Sequence, residues 1–144
     1  MSEETQDAAA AMAPGPQHDR FKPFLGTFRA QVKVWMGGGE PMVSTGTMVN
    51  TLELGGRYVR QEYTGDPVEG PSGDFEGHGF WGYNGVTQEY EGFWVDNAST
   101  IMQFETGTVD ESGRIWTMTS EMADPGGGRM ARRSVITLED EDHH

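Results

Sequence analysis

Phe75 to Val95 reads FEGHGFWGYNGVTQEYEGFWV. At its centre stands Asn84-Gly85, the pair that a two-residue type I′ hairpin turn demands, because both positions take positive φ. On either side the chain alternates. Phe75, Trp81 and Tyr83 fall in one phase before the turn, and Gln88, Tyr90 and Trp94 after it. Gly77, Gly79 and Gly92 share that phase and leave room beside the rings. Period two is the mark of a strand with one buried face. The stretch predicts two antiparallel strands, the first from Phe75 to Tyr83 and the second from Val86 to Val95.

The same texture extends outward. Before the hairpin, strands are predicted at Phe28 to Val34, Met42 to Leu54 and Arg57 to Thr64. After it come Thr100 to Thr106, Ile115 to Met122 and Met130 to Leu138. Turn residues separate them: Met36-Gly37-Gly38-Gly39-Glu40-Pro41, Gly55-Gly56, the Gly65 to Gly73 loop, Asp96-Asn97-Ala98, Asp110-Glu111-Ser112-Gly113 and Asp124-Pro125-Gly126-Gly127-Gly128. Eight evenly spaced strands without intervening helices predict an all-β fold, an antiparallel up-and-down meander curled into a barrel. A sandwich is the alternative, but the long connections of Greek keys are missing.

Upstream, Phe21, Phe24 and Leu25 sit at helical spacing, with Asp19 placed to cap a single turn and Pro23 limiting its length. This predicts a short helical plug before the first strand. Residues 1–17 combine acids, an alanine run and Pro14-Gly15-Pro16, and are expected to form a disordered tail. Residues 18–144 are then one domain.

Alternation also assigns an inner face. It takes Phe28, Ala30, Val32 and Val34; then Met48, Asn50 and Leu52; then Val59, Gln61 and Tyr63. From the later strands it takes Met102 and Phe104, Trp116 and Met118, and finally Arg132, Ser134 and Ile136. Polar members of such a lining must bond one another or face a ligand or water, since an unpaired buried polar group costs about 1–3 kcal/mol. The candidate ligand-binding set is Gln61, Trp81, Tyr83, Gln88, Tyr90, Trp94, Phe104, Trp116, Met118 and Arg132.

Composition excludes several functions. Ten Lys and Arg stand against 23 Asp and Glu, a net charge of −13. That surface repels nucleic-acid phosphates and anionic membranes. No segment approaches the roughly 18 apolar residues of a spanning helix, and the acidic N-terminus lacks a secretory pattern. With no cysteine, thiolate and disulfide chemistry are absent. The expectation is a soluble, cytoplasmic protein.

Motifs for chemistry are scarce. His18 and His78 have no partner at ligand spacing, and the phase of His78 points outward, away from any haem in the interior. The run Asp140-Glu141-Asp142-His143-His144 reads as a solvated tail rather than a metal site. No nucleophile elbow, phosphate loop or dinucleotide fingerprint is present. No catalytic residue, metal ligand or cofactor is identified.

Several stretches together resemble a bacterial family, domain of unknown function 1579 (DUF1579). They are His18 through Phe28, Leu54-Gly55-Gly56-Arg57-Tyr58, Phe75-Glu76-Gly77-His78-Gly79 leading to Gly82-Tyr83-Asn84, Phe93-Trp94-Val95-Asp96-Asn97, Gly107-Thr108-Val109-Asp110 and Arg132-Arg133-Ser134-Val135. The resemblance implies a calycin-like, lipocalin-like β-barrel and no particular reaction. Members of the family usually add a closing strand after the point where this chain stops. Either the sequence is truncated or one sheet edge is open, and an open edge offers pairing with a second copy.

Three functions remain open. The first is a non-enzymatic barrel that binds a small apolar or amphipathic molecule. The second is an enzyme working in the barrel cup, with Arg132 as electrophile and Tyr63 or Tyr83 as acid; it requires a perturbed titrating group beside Arg132. The third is a structural protein that completes its sheet with another chain.

Overall fold

A computed structural model describes residues 8–35, 37–68, 73–123, 126–139 and 143–144. Met36, the middle of the Gly65 to Gly73 loop, Asp124-Pro125, the acids at 140–142 and residues 1–7 lie outside that set. The eight strands are β1 (Gly26–Val34), β2 (Met42–Glu53), β3 (Tyr58–Gly65), β4 (Glu76–Asn84), β5 (Glu89–Asp96), β6 (Gln103–Val109), β7 (Ile115–Ala123) and β8 (Arg129–Thr137). They form one antiparallel sheet in sequence order, with β1 and β8 at its edges. The fold is all-β: a meander curled into a half-barrel, as the alternation predicts, with every neighbouring pair of strands consecutive in sequence among the described residues.

Before β1 the chain makes a one-turn helix, Pro16–Asp19, and a 3-10 turn, Lys22–Phe24. The helix starts one turn earlier than the sequence suggests. Gly15 occupies the cap position, and its N–H donates to His18 Nδ1 at 3.0 Å. Asp19 ends the helix instead of capping it. The plug itself is as expected. Phe21 and Phe24 are fully buried against Val59, Tyr90, Trp116, Met118 and Leu138. Trp116 is the hub of this cluster. Its ring lies 6.0 Å from Phe21, 5.3 Å from Phe24, 4.4 Å from Tyr90 and 6.1 Å from Trp81. Aromatic packing of this kind adds to the energy of simple apolar burial.

Two polar anchors hold the plug to the sheet. Asn50 Nδ2 donates to the Phe24 carbonyl at 2.7 Å, and the Tyr90 hydroxyl donates to the Gln17 carbonyl at 2.6 Å. After β8, Leu138 closes the same cluster. Its backbone is held by the Arg114 carbonyl at 2.7 Å, and its own carbonyl accepts from Arg114 Nε at 3.0 Å.

The central hairpin differs from its sequence reading. Asn84 pairs with Glu89, so the loop has four residues, Gly85 to Gln88. Asn84 Oδ1 accepts from the N–H groups of Val86 and Thr87, at 2.9 and 3.1 Å, and the Gln88 N–H returns to the Asn84 carbonyl at 2.8 Å. Asparagine directs this turn through its side chain. Gln88 adopts φ 60° and stands exposed at the loop's end, off the inner face assigned to it.

Candidate functional site

Strand register sorts the inner face into layers. One layer crosses the sheet through Asn50, Gln61, Gly79, Trp94 and Gln103. The next runs through Leu52, Val59, Trp81, Gly92 and Glu105. The aromatic plug packs against the second layer at Val59 and Trp81. Beside them lies a cleft of about 600 Å³, lined by residues that include Phe24, Asn50, Gln61, Trp81, Trp94, Gln103, Glu105, Ser120 and Arg132.

Glycines shape this wall by accepting rings. A Cβ on Gly77 would fall inside the Trp94 indole, and one on Gly92 would meet Trp81 Cδ1 at 2.6 Å. The room predicted beside Gly77, Gly79 and Gly92 is therefore occupied by tryptophan, and the cleft is not made of glycine gaps. Trp94 is fixed further by its Nε1–H, which donates to Asp96 Oδ2 at 3.0 Å.

Strand β6 departs from the predicted phase. Gln103, Glu105, Gly107 and Val109 are its sheltered residues, and Phe104 is 60% exposed. Met102 lies just outside the strand and is also exposed. Phe104 pairs with Phe93, which pairs with Phe80, and the three rings form a row on the outer face at 6.4 and 5.7 Å. An outer aromatic row thus takes Phe104, which alternation assigned to the interior, beside Phe80 and Phe93. Gln103 and Glu105 of β6 line the cleft. Phe104 meets the cleft only at its rim.

The wall also splits at this point. Pairing of β6 with β7 stops at Thr106 opposite Thr119, while β7 and β8 stay paired through Ala123 and Arg129. Arg132 spans the split, its Nη1 donating to Gln103 Oε1 at 3.3 Å.

Glu105 is the perturbed carboxylate of the site. Burial raises its pKa above the ordinary carboxylate value; a hydrogen bond from the Trp81 side chain and the charge of Arg132 pull in the other direction. Among the described residues Glu105 has no ion-pair partner. Asn50 is 2% exposed, and its Oδ1 accepts no hydrogen bond among the described residues. His144 packs edge-on against Phe24 and Phe28, both at 4.9 Å, and burial lowers its pKa.

The sequence-derived candidates divide into groups. Gln61, Trp81, Trp94 and Arg132 line the cleft, together with the rim residue Phe104. Tyr90, Trp116 and Met118 belong to the packed core, with Tyr83 against it. Gln88 belongs to neither group. Tyr63 is buried with its hydroxyl against Gly46, and Tyr83 packs on Tyr90 and His18. Neither tyrosine lines the cleft with Arg132. Glu105 was missed because alternation on β6 was set by Met102 and Phe104. A carboxylate in register with Gly92 and Trp81 was the available signal. No group of three or more His, Cys, Asp or Glu is placed to hold a metal among the described residues.

Residues 13–144 match the model of a family described as "Protein of unknown function (DUF1579)". The chain belongs to this family. The DUF1579 match spans the plug and all eight strands. No curated protein and no solved structure matches this DUF1579 chain. Among its described residues no helix is long and apolar enough to cross a membrane.

Proposed function

We propose that the protein binds a small amphipathic molecule in the cleft above the aromatic plug. The observation that carries this reading is the divided interior. One part is packed around Trp116, and the other keeps a cleft of about 600 Å³. Ligand sites generally fall at about 300–1,000 Å³ and combine apolar walls with a few placed polar groups. Trp81, Trp94 and Phe24 supply the walls here, and Asn50, Gln61, Gln103, Glu105 and Arg132 supply the polar groups.

The test is binding to the full chain. Native mass spectrometry of the purified protein is expected to show a retained small molecule, or the chain is expected to take up a fluorescent apolar probe that quenches Trp81 and Trp94. Trp94→Ala should weaken that uptake while the fold persists. A chain that carries nothing, takes up no probe and shows no tryptophan response overturns the reading.

The edges of β1 and β8, which pair with no further strand among the described residues, favour a second reading, in which a second copy extends the sheet. Sedimentation over a wide concentration range tests it, and a strict monomer removes self-pairing.

A further inference from the structure

The polar groups of the cleft are unequal. Arg132 lies at the exposed rim with Nη1 given to Gln103, and the other basic side chain of the cleft, His144, is packed against Phe24 and Phe28 with its pKa lowered by burial. The Asp96 oxygens accept from Trp94 Nε1 and from the Ala98 N–H, both at 3.0 Å. Two acceptors stand out. Glu105 is half-buried and has no ion-pair partner among the described residues. Asn50 has its amide nitrogen committed to the Phe24 carbonyl, which leaves its buried Oδ1 as an acceptor without a donor. Each unsatisfied buried group calls for a partner. A carboxylate withdrawn from water gains most from a cation.

The walls point the same way. Trp81 and Trp94 both line the cleft, and indole is the best ring for cation–π attraction. The protein carries a net charge of −13, which draws cations toward a concave site and repels anions.

We infer that the ligand of this cleft is a small organic cation, a protonated amine with an apolar body, its charge set against Glu105 and its N–H donors toward Asn50. This rests on the reading of the cleft as a ligand site. Trp81 and Trp94 hold the apolar body. The alternative chemistry, an anionic head on Arg132, would bring like charge to Glu105 and Asp96.

Calorimetric titration of the full chain with three probes of similar shape separates these cases: phenethylamine (cation), 2-phenylethanol (neutral) and 3-phenylpropionate (anion). Phenethylamine is expected to bind at least about tenfold more tightly than the alcohol, and the propionate most weakly. Glu105→Gln is expected to abolish the preference for the amine over the alcohol. A cooperative denaturant melt of the variant shows that it is folded, and a preference that survives in the folded variant also overturns the cation inference. Equal binding of amine and alcohol, or tightest binding of the propionate, overturns the cation inference and leaves the cleft reading standing. Binding of none of the three overturns both.

Discussion

Trp81 on β4 and Glu105 on β6 stand in register on either side of Gly92 on β5, and both line the cleft. The three positions form one cross-strand row, and the central residue has no side chain, so the indole can lie over the middle strand. A Cβ at Gly92 would meet Trp81 Cδ1 at 2.6 Å and the Phe80 carbonyl oxygen at 2.7 Å. The carbonyl belongs to the backbone and cannot rotate away. Gly92→Ala is therefore expected to destabilise the fold by about 1–3 kcal/mol, as overpacking does, and to alter tryptophan emission by moving Trp81. Denaturant melts with fluorescence detection check both. An unchanged midpoint and spectrum would show that the row is not tight.

Glu105 links the cleft to pH. Its folded pKa lies above the unfolded value near 4.5 because burial disfavours the charge. Between the two values the folded chain holds more protons, so stability falls as pH rises through the folded pKa. The other charged or titrating side chains of the cleft are Arg132 from β8, Asp96 from β5 and His144 from the chain end. Glu105→Gln is expected to stabilise the protein near neutral pH, with the gain shrinking toward about pH 4. A gain that stays constant over that range contradicts the ionisation argument.

Arg29 and Asp66 pair in the opposite sense. Arg29 Nη1 and Nη2 donate to the two Asp66 oxygens at 3.0 and 2.6 Å, and Thr45 Oγ1 donates to Oδ2 at 2.5 Å. The Arg29 hydrogen bond is the largest cause and Thr45 the next, and they lower the Asp66 pKa to about 2 from 3.8. The pair's contribution is present above the unfolded value and is lost as pH falls toward about 2. The site is exposed, so the effect at neutral pH is small. Asp66→Asn should lower stability slightly at neutral pH and remove that same small amount from the acid limb, so that melts of the variant and the parent converge toward about pH 2.

Gln88 is held at φ 60° in a turn that needs a left-handed residue at its end. Its side chain is exposed. Gln88→Gly relieves the Cβ penalty and is expected to stabilise the hairpin by about 0.5–1 kcal/mol. A thermal melt checks the sign, and a loss of stability would show that the side chain contributes.

Phe24 ties the plug to Trp116 and Trp81, at 5.3 and 5.4 Å. Phe24→Ala should cost about 3–5 kcal/mol, the range for a buried aromatic truncated to alanine. It should also enlarge the cleft, which Phe24 lines. A cost below about 1 kcal/mol would mean that the plug is dispensable.

Strand positions and most of the interior were legible in the residues. Val59, Gln61 and Tyr63 on β3, Trp81 on β4, Tyr90 on β5, and Trp116 and Met118 on β7 are all sheltered on the inner face, as period two implies. The site was legible only in part. On β6 the local rule fails, because Phe104 has a partner for its ring outside the barrel and Glu105 faces a cleft rather than a packed core. Such failures of pattern concentrate where a wall is shaped for something other than packing. Gln88 failed for another reason: an asparagine-directed four-residue turn moved it out of the strand.

By itself, the order of apolar and turn residues determined that this chain is a meander of hairpins closed at one end by Phe21 and Phe24. Alternation is a property of each strand and its immediate neighbours, so it can be read along the chain. Only the curled sheet decided which polar groups meet. Asn50, Glu105 and Arg132 come from β2, β6 and β8, and they share a cleft through curvature and through the split between β6 and β7. Curvature is a sum over all eight strands, and no single stretch of sequence contains it.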